Sequence, residues 1–145
     1  MNTTRLGAFV AAILVVDAMA HLYWLIRPAS DPRALSMAVL NMDVPFTPRV
    51  LLPLILLLSA AAIAIVAVSR GRGGWPAKAV VFALGAGLLV RGVLGLVWST
   101  GLGTDTGTPF YWLNLLLYTP VCLVAAGSVG LVLARTRFDR QPVSR

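Results

Sequence analysis

A chain of 145 residues that is 59% hydrophobic and only 12% charged has too little polar surface to wrap a soluble core. Its net charge of +7 would suggest nucleic acid in a soluble protein. Here the arginines flank apolar runs, so anionic lipid head groups are the expected counter-charge and a nucleic-acid partner is not. One cysteine excludes an internal disulfide.

A hydrocarbon layer about 30 Å thick takes about 20 apolar residues in helical form. Four stretches meet that requirement: 6–26, 50–69, 77–98 and 110–134. None is long enough for two passes, and none alternates like a barrel strand. The expected fold is all-α: a single-domain integral membrane four-helix bundle, with spans 6–26, 50–69, 77–98 and 110–134, an external loop at 27–49 and a tail at 135–145.

The first span carries "VVDAMAHLYW", an acid and an imidazole in an otherwise apolar run. Asp17, His21 and Trp24 follow at i, i+4 and i+7 and share one helical face. Arg5 and the Ala18-Met19-Ala20 triplet also resemble a cleavable signal peptide. The apolar run continues through Ile26, and Asp17 interrupts the approach to that site, which favours a retained span.

The first external connection is long for a bundle. Asp31-Pro32 is a helix-start signal, and Leu35, Val39 and Met42 recur at helical spacing, so residues 32–40 are expected to form a short amphipathic helix. Such a helix lies over the helix ends or forms a lid.

In the second span Pro53 falls in the first turn, and Ser59, Ala60 and Ala64 offer a small-residue packing face. The turn "RGRGGWPAK" is glycine-rich but lacks the order of a phosphate-binding loop. Arg91 lies within the third span, with Gly87 and Gly95 one turn to either side leaving room for a guanidinium. The loop "STGLGTDTGTP" reads as flexible. In the fourth span Tyr111, Asn114, Tyr118 and Cys122 form a polar stripe, and Pro120 should kink the helix and free the Leu116 carbonyl. Trp24, Trp98, Tyr111 and Trp112 fit an aromatic belt at the outer boundary.

Lys and Arg side chains set the direction. Arg5, Arg70, Arg72, Lys78, Arg135, Arg137, Arg140 and Arg145 fall on one side, against Arg27, Arg33 and Arg49 on the other. Both termini are therefore expected in the cytoplasm of a cell membrane, read as a bacterial inner membrane.

An ionisable group at a helix centre costs about 2.5–3.5 kcal/mol to insert, so such groups usually turn inward and pair. A rise of about 1.5 Å per residue puts Asp17 about 16 Å, His21 about 22 Å, Arg91 about 21 Å and Tyr118 about 18 Å above the cytoplasmic boundary. The expected arrangement pairs Arg91 with Asp17, with His21 and Tyr118 completing the hydrogen-bond shell. Asp17, His21, Trp24, Arg91, Asn114 and Tyr118 are the candidate ligand-binding residues; the catalytic residues are unknown. A single histidine and a single cysteine imply no metal site, and no cofactor is implied.

"HLYW" in the first span, an arginine late in the third and "YTPVCL" in the fourth resemble a bacterial, actinobacterial-type family of small four-helix membrane proteins catalogued as a domain of unknown function. The resemblance runs from about Val10 to Ala134. It implies a four-span fold, adds weight to His21, Tyr23, Trp24, Arg91, Tyr118, Pro120 and Cys122, and carries no activity. The glycine-rich stretch that often follows "HLYW" in that family is replaced here by "LIRPASDPRALS".

The functional expectation is a non-catalytic membrane component with a polar intramembrane cluster. It would bind membrane lipid, a small hydrophobic ligand or a partner membrane protein. The alternatives are an intramembrane enzyme acting on a lipid-soluble substrate, with His21 as acid or base, and an oligomeric proton or solute path.

Overall fold

The computed structural model describes residues 2–138, and residues 139–145 of the expected tail lie outside the described residues. The elements run α1 (Thr3–Ile26), α2 (Pro32–Leu40), α3 (Pro48–Ser69), α4 (Trp75–Ser99), α5 (Pro109–Leu113), a π-helical turn (Asn114–Tyr118) and α6 (Thr119–Phe138). Four segments are long and apolar enough to cross a membrane: α1, α3, α4 and the composite Pro109–Thr136. The fold is thus an all-helical four-span bundle carrying a short additional helix in its first loop.

Helix boundaries follow local chemistry. Asn2 caps α1 by accepting from the Thr4 amide, and Thr108 caps α5 by accepting from that of Tyr111. Prolines occupy the first positions of α3, α4 and α5, where no amide partner is lost. This is why these spans begin one or two residues before the first apolar residue. Asp31 Oδ1 accepts from the Ala34 amide at 2.9 Å, which starts α2 at Pro32. Asn41, with φ of 56°, ends that helix, and its Nδ2 donates to the Gly103 carbonyl at 3.2 Å. The side chain that α2 buries fully is Ser36, while Met42 lies beyond the helix and is exposed. The expected Leu35/Val39/Met42 stripe is therefore only partly used, because α2 rests on the short α5 and not on a continuous apolar floor.

The long helices alternate in direction. Gly7 near the start of α1 meets Ser69 at the end of α3, and Gly85 in the first half of α4 meets Val129 late in α6. The ring order is α1, α3, α4, α6, with α3 touching α6 across the short diagonal and no comparable contact between α1 and α4. The apolar core fills the end of the bundle nearest the chain termini. It comprises Leu6, Val10 and Leu14 of α1, Ala61, Ile65 and Val68 of α3, Val81 of α4, and Ala125, Val129 and Val132 of α6. On α3 the packing face is Ala61, Ala64, Ile65 and Val68; Ala60, expected on that face, is exposed, and Ser59 turns its hydroxyl to the Ile55 carbonyl at 2.8 Å.

Candidate functional site

Pro120 has no amide hydrogen to return to Leu116, so the fourth span cannot continue as a regular helix there. The chain responds with a wide turn, in which the Thr119 amide donates to the Asn114 carbonyl five residues back. In a regular helix residues five apart point about 140° apart. The wide turn brings them together, and Thr119 Oγ1 donates to Asn114 Oδ1 at 3.3 Å. The kink expected at Pro120 is thus taken up as a π-helical turn.

Asn114 is fully buried and is the hub of this region. Its Oδ1 also accepts from Arg91 Nη1 at 2.9 Å, and its Nδ2 donates to the Gly95 carbonyl at 2.9 Å. Ser99 Oγ donates to that same carbonyl at 2.8 Å, and Tyr111 donates its hydroxyl proton to the Ser99 carbonyl at 3.2 Å. A methyl group on Gly95 would collide with Thr119 Oγ1 and sit 3.2 Å from Asn114 Oδ1. Close approach at Gly95 is therefore what lets Asn114 reach the α4 backbone. Gly92 closes the same interface against Leu123. Gly87, expected to make room beside Arg91, is exposed and faces open space.

The Arg91 guanidinium carbon lies 5.0 Å from the centre of the Trp98 ring and 5.5 Å from that of Tyr118. Trp98 also meets Phe110 edge to face, 5.3 Å between ring centres. Of the five N–H groups of the guanidinium, one donates to an acceptor among the described residues, at Asn114.

On α1, His21 is buried and Asp17 is not. The Asp17 side chain is 52% exposed. His21 Nδ1 donates to the Asp17 carbonyl oxygen at 2.8 Å and lies 3.4 Å from Asp17 Oδ1. Trp24 meets the His21 ring at 5.1 Å and Phe46 of the α2–α3 connection at 5.4 Å. That connection is thereby held against the C-terminal part of α1.

The six candidate residues therefore fall into two groups. Arg91, Asn114 and Tyr118 join on α4 and the fourth span; Asp17, His21 and Trp24 join on α1. The expected Arg91–Asp17 pair does not form. Among the described residues Asp17 is within ion-pair distance of His21 alone, and Arg91 is within it of no carboxylate. The physical reason is position: α1 and α4 stand across a diagonal, with the fourth span between them. That span carries Tyr118, whose ring the Arg91 guanidinium faces.

Sequence reasoning missed Thr119 and Gly92, and it explained Trp98 by the aromatic belt alone. Arg91 and Trp98 are seven residues apart, two helical turns, so their shared face was open to a reading of spacing. Thr119 was hidden, because only a π turn aligns it with Asn114. Among the described residues no three His, Cys or Asp side chains gather to hold a metal ion.

A family described as "Protein of unknown function (DUF3995)" matches residues 14–129. The chain belongs to that family. The match spans most of the chain, and both polar groups lie inside it. No curated protein and no solved structure matches.

Proposed function

We propose that this member of the family is a multi-pass cell-membrane protein, termini in the cytoplasm, that binds the anionic or polar head of a lipid-soluble ligand at Arg91. The observation that carries this reading is the state of the guanidinium. It lies in a span, is clasped by two aromatic faces, and has four N–H groups that meet no protein acceptor among the described residues. A cation at that depth is costly without an anion or several acceptors. The fold holds Arg91 in place through Asn114 and leaves the rest of its fork open, which suits bidentate capture of a carboxylate, phosphate or carbonyl oxygen. Tyr118 and the Asp17–His21 pair, across the fourth span, supply further polar contacts to a ligand head that extends past that helix. The role is binding and not catalysis.

A second reading has one observation in its favour. His21 is oriented through Nδ1 by Asp17, which leaves Nε2 as the basic nitrogen. That is the arrangement a general base needs in an intramembrane enzyme.

Native mass spectrometry from mild detergent tests the first reading. A small molecule should accompany the wild-type protein and be lost in Arg91→Gln, with helical content unchanged by circular dichroism. Wild-type protein carrying no molecule, or Arg91→Gln retaining it equally, overturns the reading. If His21→Ala abolishes turnover of an extracted lipid while Arg91→Gln only weakens binding, the enzyme reading replaces it.

A further inference from the structure

At the end of the bundle nearest the termini, far from Arg91, α1 and α3 leave a groove of about 440 Å³. Its floor is made of the small side chains Ala11, Ala62 and Ala67, and Ile63 and Val15 form exposed walls. Ile63 and Arg70 are seven residues apart on α3, so the groove reaches about 10 Å inward from the helix end. It is a shallow, largely open furrow, lined mostly by apolar side chains and long enough to seat part of an acyl chain, and its lining contains no acid.

The mouth of the groove is set by Arg70 and Arg72. Their placement is fixed by the backbone. The Gly71 amide donates to the Val68 carbonyl at 3.0 Å and the Arg72 amide to the Ala67 carbonyl at 2.9 Å. Gly71 has φ of +73°. These two bonds and the left-handed glycine make a Schellman closure of α3. The closure folds Arg72 back over Ala67, the residue that floors the groove. Neither guanidinium has an acidic partner among the described residues.

We infer that this groove is a binding site for one anionic phospholipid, its phosphodiester held by Arg70 and Arg72 and an acyl chain laid along Ala11, Ala62 and Ala67. Two unpaired cations in register with an apolar slot select an anionic head on a hydrocarbon tail. Cations that serve only to orient the chain need no such slot. The site is independent of Arg91 and stands whether or not the reading of that residue does.

The test uses the full chain, delipidated in detergent and titrated with phosphatidylglycerol or with phosphatidylcholine of the same acyl chains, read by native mass spectrometry. The wild-type protein should retain one phosphatidylglycerol in preference to phosphatidylcholine. The double variant Arg70→Gln/Arg72→Gln should lose roughly thirtyfold in apparent affinity, the effect expected for two interfacial cations. Ala67→Phe keeps both arginines and fills the slot, and should lower retention by at least tenfold. Lys78→Gln removes a cation elsewhere at the same end and should change retention of this lipid less than threefold. Equal retention of the two lipids, an Ala67→Phe variant that binds as wild type, or a loss in Lys78→Gln equal to that per arginine each overturns the proposal. All variants are exchanged for others at the same positions, Arg→Ala and Ala67→Leu, if circular dichroism shows loss of helix.

Discussion

The two ends of the bundle are held together differently. Near the termini, Val10, Ile65, Val81, Val129 and Val132 belong to an apolar cluster, and the buried hydroxyls of Ser69 and Ser128 bond back to the Val66 and Val124 carbonyls of their own helices. At the opposite end the fully buried positions include Asn114 and Ser36 beside Leu51 and Phe110, and a hydrogen-bond network joins α4 to the fourth span. In lipid, apolar side chains gain little by leaving a hydrocarbon solvent, so the first kind of contact rests on dispersion and close fit. The second rests on polar groups whose alternative partners in lipid are few. The difference teaches that one end coheres through apolar fit, while the opposite end accepts polar groups because a close-packed glycine face and a π turn can satisfy most of them. Arg91, and the buried hydroxyl of Thr104, which has no hydrogen-bond partner among the described residues, are left incompletely satisfied.

Substitutions can break or sharpen this contrast. The largest effect is expected for Asn114→Leu, which strands Arg91 Nη1 and the Thr119 hydroxyl and crowds Gly95; a loss of about 3 kcal/mol follows from leaving buried polar groups unpaired. Reversible unfolding in mixed micelles measures it, and a loss smaller than that of Ile65→Ala would break the contrast. Ile65→Ala opens a space in the apolar end and should cost about 2 kcal/mol, near the lower limit for core truncations because lipid adds no hydrophobic penalty. Next comes Asp31→Ala, which removes the cap of α2 and should cost about 1 kcal/mol, seen as faster amide exchange over Pro32–Leu40 with the spans unchanged. His21→Ala should cost under about 1 kcal/mol, since its hydrogen bond returns to its own helix; thermal unfolding of the purified variant checks this. The smallest effect belongs to Arg33→Ala, which removes an exposed ion pair to Asp43 and should stay within about 0.5 kcal/mol in the same assay.

The four apolar helices and the cap and extent of α2 were legible because each depends on local chemistry. Hydropathy over about 20 residues marks a span, and Asp31-Pro32 marks a start. The polar groups were expected at one level; of them Tyr118 does meet Arg91, while Asp17 keeps to His21 on its own helix. The partner of Arg91 was not legible. Asn114 and Arg91 were both candidates, but nothing in the spacing ranked an amide on the fourth span above a carboxylate on the first.

By itself, then, the sequence determined that this chain folds as four apolar helices with a capped helix in the first loop. These are properties of single helices, set by side-chain hydropathy and cap residues. The tertiary structure alone decided which polar groups meet. That depends on the ring order that puts α1 and α4 across a diagonal, and on the π turn that rotates Asn114 and Thr119 onto the glycine face of α4. The ring order arises from how whole helices pack; Pro120 marks in the sequence where the turn falls, but not which face of α4 its rotation meets.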